Sequence, residues 1–258
     1  MTSLELLVGN LALIAATVSV LWLCSLWLKN ASIADIFWGA GFVVITANSY
    51  RLASADTLRA VILLVMTSIW GLRLTAYLGW RNWGKPEDYR YAAMREPRQA
   101  SFWVWSLPCI FWLQGLLIWL VALPVQLGML SAEPFNWVAA AGLLVWIVGV
   151  LFETIGDWQL ARFKARSDSQ GKVLQTGLWR YTRHPNYFGD FLVWWGIFLV
   201  AAGHHGPWWT IVSPLLMTLL LLRVSGVALL EKSIGDRRPE YRDYVSRTSA
   251  FFPWPPKR

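Results

Sequence analysis

Charged side chains are scarce in this 258-residue chain: Asp, Glu, Lys and Arg together make 15% of it, against about a quarter in soluble domains. With 56% of residues hydrophobic, that deficit excludes an ordinary water-soluble globular protein. Cysteine is nearly absent. Cys24 and Cys109 stand alone in apolar runs, which excludes a disulfide framework or a zinc pattern and predicts two small buried hydrophobes. The three histidines include His204-His205 in a short connection without a neighbouring carboxylate, so no metal site is expected. No G-x-G-x-x-G follows a strand, which rules out a Rossmann dinucleotide site. The N-terminus, "MTSLELLVGN", lacks a basic n-region and a small-residue cleavage site, so the first apolar run reads as a retained helix. Internal repeats and low-complexity linkers are missing too. One membrane domain over 1–258 is therefore expected, without a separate soluble domain and without a nucleic-acid partner.

What the chain does have is tryptophan, 19 residues of it, a type that collects at membrane–water interfaces. It also has long apolar runs. Seven segments approach the ~20 residues of a bilayer span: Leu4–Leu28, Ala34–Tyr50, Leu58–Trp80, Phe102–Leu130, Phe135–Arg162, Tyr187–Ala202 and Trp208–Leu230. These predict an all-α polytopic protein, a bundle of seven transmembrane helices. Pro108 and Pro124 should kink or split the fourth. Basic residues gather in three places. The third connection holds Arg81, Lys85, Arg90, Arg95 and Arg98. The fifth, with the end of its helix, holds Arg162, Lys164, Arg166, Lys172, Arg180 and Arg183. The tail holds Lys232, Arg237, Arg238, Arg242, Arg247, Lys257 and Arg258. These are 18 of the 23 Lys and Arg, while the fourth and sixth connections hold none. The positive-inside rule puts the N-terminus outside and the C-terminus in the cytoplasm.

Ionisable groups within spans are unfavourable and suggest function. Here they are Asp35, Arg73, Glu153, Asp157, Asp190 and Arg223, with Tyr77, Asn186 and Glu231 close by. In the topology above all fall toward the cytoplasmic side, which implies a polar cavity open to cytosolic solutes. Glu153 and Asp157, four apart, share one helical face where like charges repel. They read either as partners of neighbouring arginines or as acceptors for ligand hydroxyls such as those of a ribose. In "RYTRHPNYFGD", Arg180 to Asp190, Pro185 is placed to open a helix. Arg183 and His184 sit at its positively polarised start, which predicts that an anion joins them, although arginines at lipid headgroups fit as well.

"LQTGLWRYTRHPNYFGD", the tail "RRPEYRDYVSRTSAFFPW" and "WGLRLTAYLGWRNWGKPEDYRY" resemble the membrane steroid 5α-reductase superfamily, in its bacterial branch. The resemblance implies a seven-helix bundle that binds NADPH from the cytoplasm and reduces a carbon–carbon double bond conjugated to a ketone. By position it matches Asp157, Lys164, Lys172, Asn186 and Asp190 to cofactor contacts, and Arg73 and Tyr77 with them, while Glu153 stands where animal members carry asparagine. The full cofactor-binding set expected here adds Glu153, Arg183, His184, Tyr187, Arg223, Arg238, Tyr241, Tyr244 and Arg247. Animal members hold the ketone with a glutamate on the second helix and a tyrosine on the third. Asp35 is the nearest match to the first, acting protonated in apolar surroundings or through water. Trp70 stands at the tyrosine position, with Tyr77 as the replacement donor.

The shorter RHPxY form also occurs in S-adenosylmethionine-dependent membrane methyltransferases acting on isoprenylated cysteine or phospholipid. NADPH carries phosphates and S-adenosylmethionine none, so the basic residues favour NADPH. A transporter would explain the spans but not charges gathered on one side. The expectation is a monomeric reductase of the bacterial inner membrane. Its active site faces the cytoplasm and takes a steroid or sterol-like lipid from the surrounding membrane lipid.

Overall fold

A computed structural model describes residues 1–53, 57–224 and 240–257. The described residues are helical apart from short connections and one isolated bridge, Thr182 to Ser249. The helices are α1 (Ser3–Leu28), α2 (Ile33–Ala53), α3 (Leu58–Asn82), α4 (Tyr89–Arg95), α5 (Phe102–Ser106), α6 (Leu113–Val121), α7 (Leu123–Gly128), α8 (Trp137–Lys164), α9 (Pro185–Ala202), α10 (Val212–Leu219) and α11 (Glu240–Arg247). Each expected apolar segment is thus helical over most of its described length, with non-helical residues at 122, 129–130 and 135–136. The two prolines act as expected. A π-helical turn, Leu107–Trp112, contains Pro108 and joins α5 to α6, and Pro124 lies in the first turn of α7, just after the chain breaks at Ala122. Proline removes a ladder hydrogen bond and clashes with the preceding turn.

Four helical stretches among the described residues are long and apolar enough to cross a membrane: Ser3–Leu28, Leu58–Asn82, Phe102–Val121 and Trp137–Lys164. The count of seven is not reached on those criteria. α2 carries Asp35, Asn48 and Arg51, α9 opens on Pro-Asn-Tyr, and Trp208–Val224 is shorter. α8 has 28 residues, about 42 Å, so it outruns a ~30 Å hydrocarbon layer.

The chain forms two compact units. The first comprises residues 1–136 and 201–210. α2 and α3 meet where Gly39 faces Gly71; a Cβ on Gly71 would stand 2.5 Å from the Gly39 carbonyl oxygen, so only glycine allows this approach. Phe42, Leu63, Met66 and Trp70 fill the core beside it. Across α1, α2 and α7, buried Asn10 donates to Ser49 Oγ at 2.8 Å and to Gln126 Oε1 at 3.0 Å, and its own oxygen accepts from Asn48. Such a satisfied amide network fixes helix register in an apolar bundle.

At the start of α3, Arg59 is fully buried. Its guanidinium donates to Glu133 at 2.9 Å and to the Pro134 carbonyl at 2.7 Å. Glu133 also accepts the main-chain N–H groups of His204 and His205. Burial pushes the Glu133 carboxyl up, but Arg59 and those two N–H donors outweigh it and hold the pKa down at about 2.

The second unit comprises residues 137–200 and 211–258. α8 and α9 pack through glycines spaced by seven: Gly142, Gly149 and Gly156 on α8, Gly189 and Gly196 on α9. A Cβ on Gly149 would lie 2.7 Å from Gly189 O, and one on Gly196 2.7 Å from Gly142 O. The tail folds back onto this pair. Phe251 and Phe252 pack edge-on against Phe188 and Phe191 of α9. Thr182 donates to Phe251 O at 2.8 Å, and Trp254 N–H donates to Tyr181 O at 2.9 Å.

The cysteines depart from expectation: Cys24 and Cys109 are both exposed. In a chain read as lipid-embedded, an apolar run needs no protein cover, so hydrophobicity alone does not bury a thiol.

Candidate functional site

In the first unit, polar chemistry centres on Asp35 in the opening turn of α2. The segment before and within α4 supplies its partners. Tyr91 donates its phenolic hydrogen to Oδ1 at 2.5 Å, and Arg90 reaches Oδ2 at 2.6 Å. Arg90 is also tied to Asp88 at 2.8 Å. Gln114 of α6 donates to the Tyr91 oxygen at 3.0 Å. The α1–α2 turn positions this segment: Glu87 accepts from Ala31 N–H and chelates Arg95, while Asp88 N–H donates to Ser32 Oγ. Burial, then the adjacent Asp35 charge, push the Tyr91 phenol well above its ordinary range. It therefore stays a neutral O–H donor. The Asp88 carboxyl is held low despite burial, by Arg90.

The sequence leads to Asp35 acting protonated in apolar surroundings or through water, with Tyr77 or Trp70 as the second donor. The structure instead pairs Asp35 with a guanidinium, which leaves Asp35 as acceptor and Tyr91 as donor. Trp70 is fully buried, edge-on to Phe42 at 5.4 Å between centroids. Tyr77 packs beside Trp80, 6.1 Å away, and under the Arg81 guanidinium. Arg73 lies one turn before Tyr77 on α3, half-buried. Tyr91, Arg90 and Gln114 were missed. Their signal in the sequence is the dense "PEDYRY", which stands in a basic connection and in a stretch that carries the family resemblance without pointing to Tyr91.

In the second unit, Glu153 and Asp157 are buried at 3% and 5% exposure. Both sit on the α8 face that meets the start of α9. Asn186, in the first turn of α9, donates to Asp157 Oδ1 at 3.2 Å. Asp190 is buried one turn further on, and the His184 and Tyr187 rings stack at 5.5 Å. Glu153, Asp157, His184, Asn186, Tyr187 and Asp190 thus gather where α8 meets the start of α9. Lys164 and Lys172 are exposed, and Lys172 lies 3.8 Å from Asp168.

Arg183 behaves differently from expectation. It is buried, and its Nη1 donates to Thr248 O at 2.6 Å and Val245 O at 3.1 Å. It caps the C-terminal end of α11, where a cation is favoured, so a cation preceding α9 does not by itself require an anion. Tyr244 donates to the Trp179 carbonyl, and Tyr241 packs beside Tyr244. These tyrosines anchor α11 to the loop before α9. Arg247 and Arg223 are exposed. Arg238 and Glu231 lie outside the described residues.

Clusters of polar and titratable groups, here Asp35 with Tyr91 and the buried Glu153 and Asp157 with Asn186, are the usual raw material of proton handling and ligand binding. An uncharacterised protein of Schizosaccharomyces pombe is 28% identical over 272 aligned residues, 91% of this chain and 76% of its own. A nickel-cobalt-cadmium resistance protein, NccN, of Alcaligenes xylosoxydans is 28% identical over 141 residues, 53% of this chain and 63% of its own. A steroid 5-alpha-reductase, DET2, of Gossypium hirsutum is 36% identical over 66 residues, 26% of each chain. No solved structure gives a significant match. Residues 21–248 match the family described as "Protein of unknown function (DUF1295)", and the chain therefore belongs to that family, within the steroid 5-alpha-reductase-like superfamily.

Proposed function

We propose that this chain is a membrane reductase that uses NADPH to saturate the carbon–carbon double bond of a 3-oxo-Δ4-steroid or a similar enone lipid. The observation that carries the reading is the Tyr91–Asp35 pair, an O–H donor kept neutral beside a fixed carboxylate. The segment similar to a protein named as a steroid reductase supports it.

Enone reduction places a hydride on the β-carbon, builds negative charge on the ketone oxygen and adds a proton at the α-carbon. NADPH, when bound, supplies the hydride. Tyr91 serves the oxygen: turning its phenolic hydrogen from Asp35 to the ketone places a donor where charge develops, an effect worth about 3–4 kcal/mol. Asp35, fixed by Arg90, orients Tyr91. Gln114 holds the phenol oxygen from the other side.

The second unit's residues fit a nucleotide by their chemistry. Glu153 and Asp157 are buried acceptors suited to ribose hydroxyls, with Asn186, Tyr187 and Asp190 beside them. Lys164 and Lys172 offer cations to phosphates. This reading keeps the protein monomeric in a bacterial inner membrane, with its cofactor taken from the cytoplasm.

The test is thermal stability and turnover of the detergent-solubilised full chain. A ligand binding only the folded state adds about 2.7 kcal/mol at a hundredfold excess over its dissociation constant. NADPH should stabilise and be oxidised when a 3-oxo-Δ4-steroid is added. Stabilisation by S-adenosylhomocysteine and not by NADPH would overturn the proposal.

A further inference from the structure

The stretch that joins α3 to α5, residues 83–101, has an outer surface that the proposed reaction does not use. It connects two of the membrane-length helical stretches, Leu58–Asn82 and Phe102–Val121, so it lies at one edge of the hydrocarbon layer those stretches would cross. Outward tryptophans mark both flanks. Trp80 near the end of α3 and Trp83 just after it are 66% and 87% exposed, and Trp103 in the first turn of α5 is 56% exposed. Tyr89, between them, is exposed as well. Indole and phenol rings collect at the level of lipid headgroups.

The cations here fall into two groups. Arg90 and Arg95 are committed inward, the first to Asp35 and Asp88, the second to Glu87. Arg81, Lys85 and Arg98 make no ion pair among the described residues. Arg81 and Lys85 are exposed, and Arg81 acts on the Asp88 charge from beyond ion-pair distance. Arg98 stacks on Trp105, 4.3 Å from the ring centroid, and Arg81 lies over Tyr77 at 5.8 Å. Arg98 Nη1 donates to the Met94 carbonyl at 3.1 Å. Stacking fixes the plane of a guanidinium and leaves N–H groups at its edge able to donate. Of the three carboxylates in residues 83–101, Glu87 and Asp88 belong to the inward pairs, so Glu96 alone remains to offset three cations. The outer face is net positive.

Aromatic rings hold such a face at the membrane boundary, and long basic side chains reach from there toward the headgroups, where lipid phosphates supply the anions. A second copy of this chain would bring the same positive charge to a two-fold contact, where it is repelled. We propose that the α3–α5 connection is a docking surface for the headgroups of anionic phospholipids, with Arg81, Lys85 and Arg98 as phosphate contacts and Trp80, Trp83 and Trp103 as anchors at the boundary. The proposal stands whether or not the chain is a reductase.

The experiment places the full chain and four variants in phosphatidylcholine nanodiscs, titrates in phosphatidylglycerol and counts retained lipid by native mass spectrometry. R81Q/K85Q removes two of the cations, R98Q the third, and R81K/K85R keeps both charges. R180Q/R242Q removes two charges from exposed positions in the second unit. Circular dichroism melts confirm that each variant folds. Retention of phosphatidylglycerol should weaken about thirtyfold in R81Q/K85Q and about fivefold in R98Q, from two basic residues and one at an anionic surface. It should match the full chain in R81K/K85R and R180Q/R242Q. Equal retention by the full chain, R81Q/K85Q and R98Q, or equal losses in R81Q/K85Q and R180Q/R242Q, overturn the proposal. So does a dimer mass in the full chain that R81Q/K85Q lacks, or stabilisation by inorganic phosphate with no preference for phosphatidylglycerol.

Discussion

Tyr91 and Asp35, 56 positions apart, share a hydrogen bond of 2.5 Å that joins the connection after α3 to the first turn of α2. The bond makes the phenol a donor with one acceptor and one supporting amide. In the proposed reaction Tyr91→Phe removes the donor hydroxyl and leaves the ring. Turnover with a 3-oxo-Δ4-steroid should fall about 100- to 1,000-fold with little change in KM, while Tyr77→Phe should cost far less. Steady-state kinetics of both variants decide it; equal losses would return the donor role to Tyr77.

Gln114 touches the same oxygen from α6. Gln114→Leu leaves Tyr91 in place but loosens its aim, so kcat should drop by less than in Tyr91→Phe and the melting temperature should shift by no more than a hydrogen bond, about 1 kcal/mol, allows.

The Arg59–Glu133 pair gives the first unit a definite acid response. The Glu133 pKa lies at about 2, below its ordinary value of 4.5. Such a group binds its proton more readily in the unfolded chain, so its stabilisation is complete above pH 4.5 and disappears as pH falls toward 2. Melting temperatures measured across that window should decline in the native protein. In Glu133→Gln this part of the decline should be absent, from a lower starting stability. Parallel acid profiles for the two proteins would refute the assignment.

The seam between α8 and α9 makes a steric prediction. Gly189→Ala would place its methyl 2.5 Å from Glu153 N, and Gly149→Ala 2.7 Å from Gly189 O. Backbone cannot retreat as a flexible side chain can, so each should destabilise by about 1–3 kcal/mol. Gly9→Ala, where a methyl meets nothing within 4 Å, should be neutral or mildly stabilising. Thermal shift of the three variants tests the order.

Helix positions were readable because apolar runs of this length have few alternatives, and Pro108 and Pro124 marked the breaks directly. The count of spans was less readable: α2 carries Asp35, Asn48 and Arg51, and α9 opens on Pro-Asn-Tyr and holds Asp190, which lowers their hydropathy below that of a lipid-facing helix. Glu153, Asp157 and Asn186 were found together because two of them share one helical face and the third follows the helix-opening Pro185. Tyr91 was hidden because its partner is distant in sequence and its own segment looked like a solvated basic loop. Arg183 was misjudged for a related reason. A cation before a helix start looks uncompensated until the far end of another helix, α11, is seen to arrive there. The seven-residue glycine spacing was present in the sequence, but it carries meaning only once α8 and α9 are known to be neighbours.

That spacing also limits how the second unit can move. With main chains nearly touching at steps of seven residues, sliding α9 past α8 by a single turn would drive bulky side chains into spaces that hold only hydrogen atoms. Piston-like displacement of this helix pair is closed off.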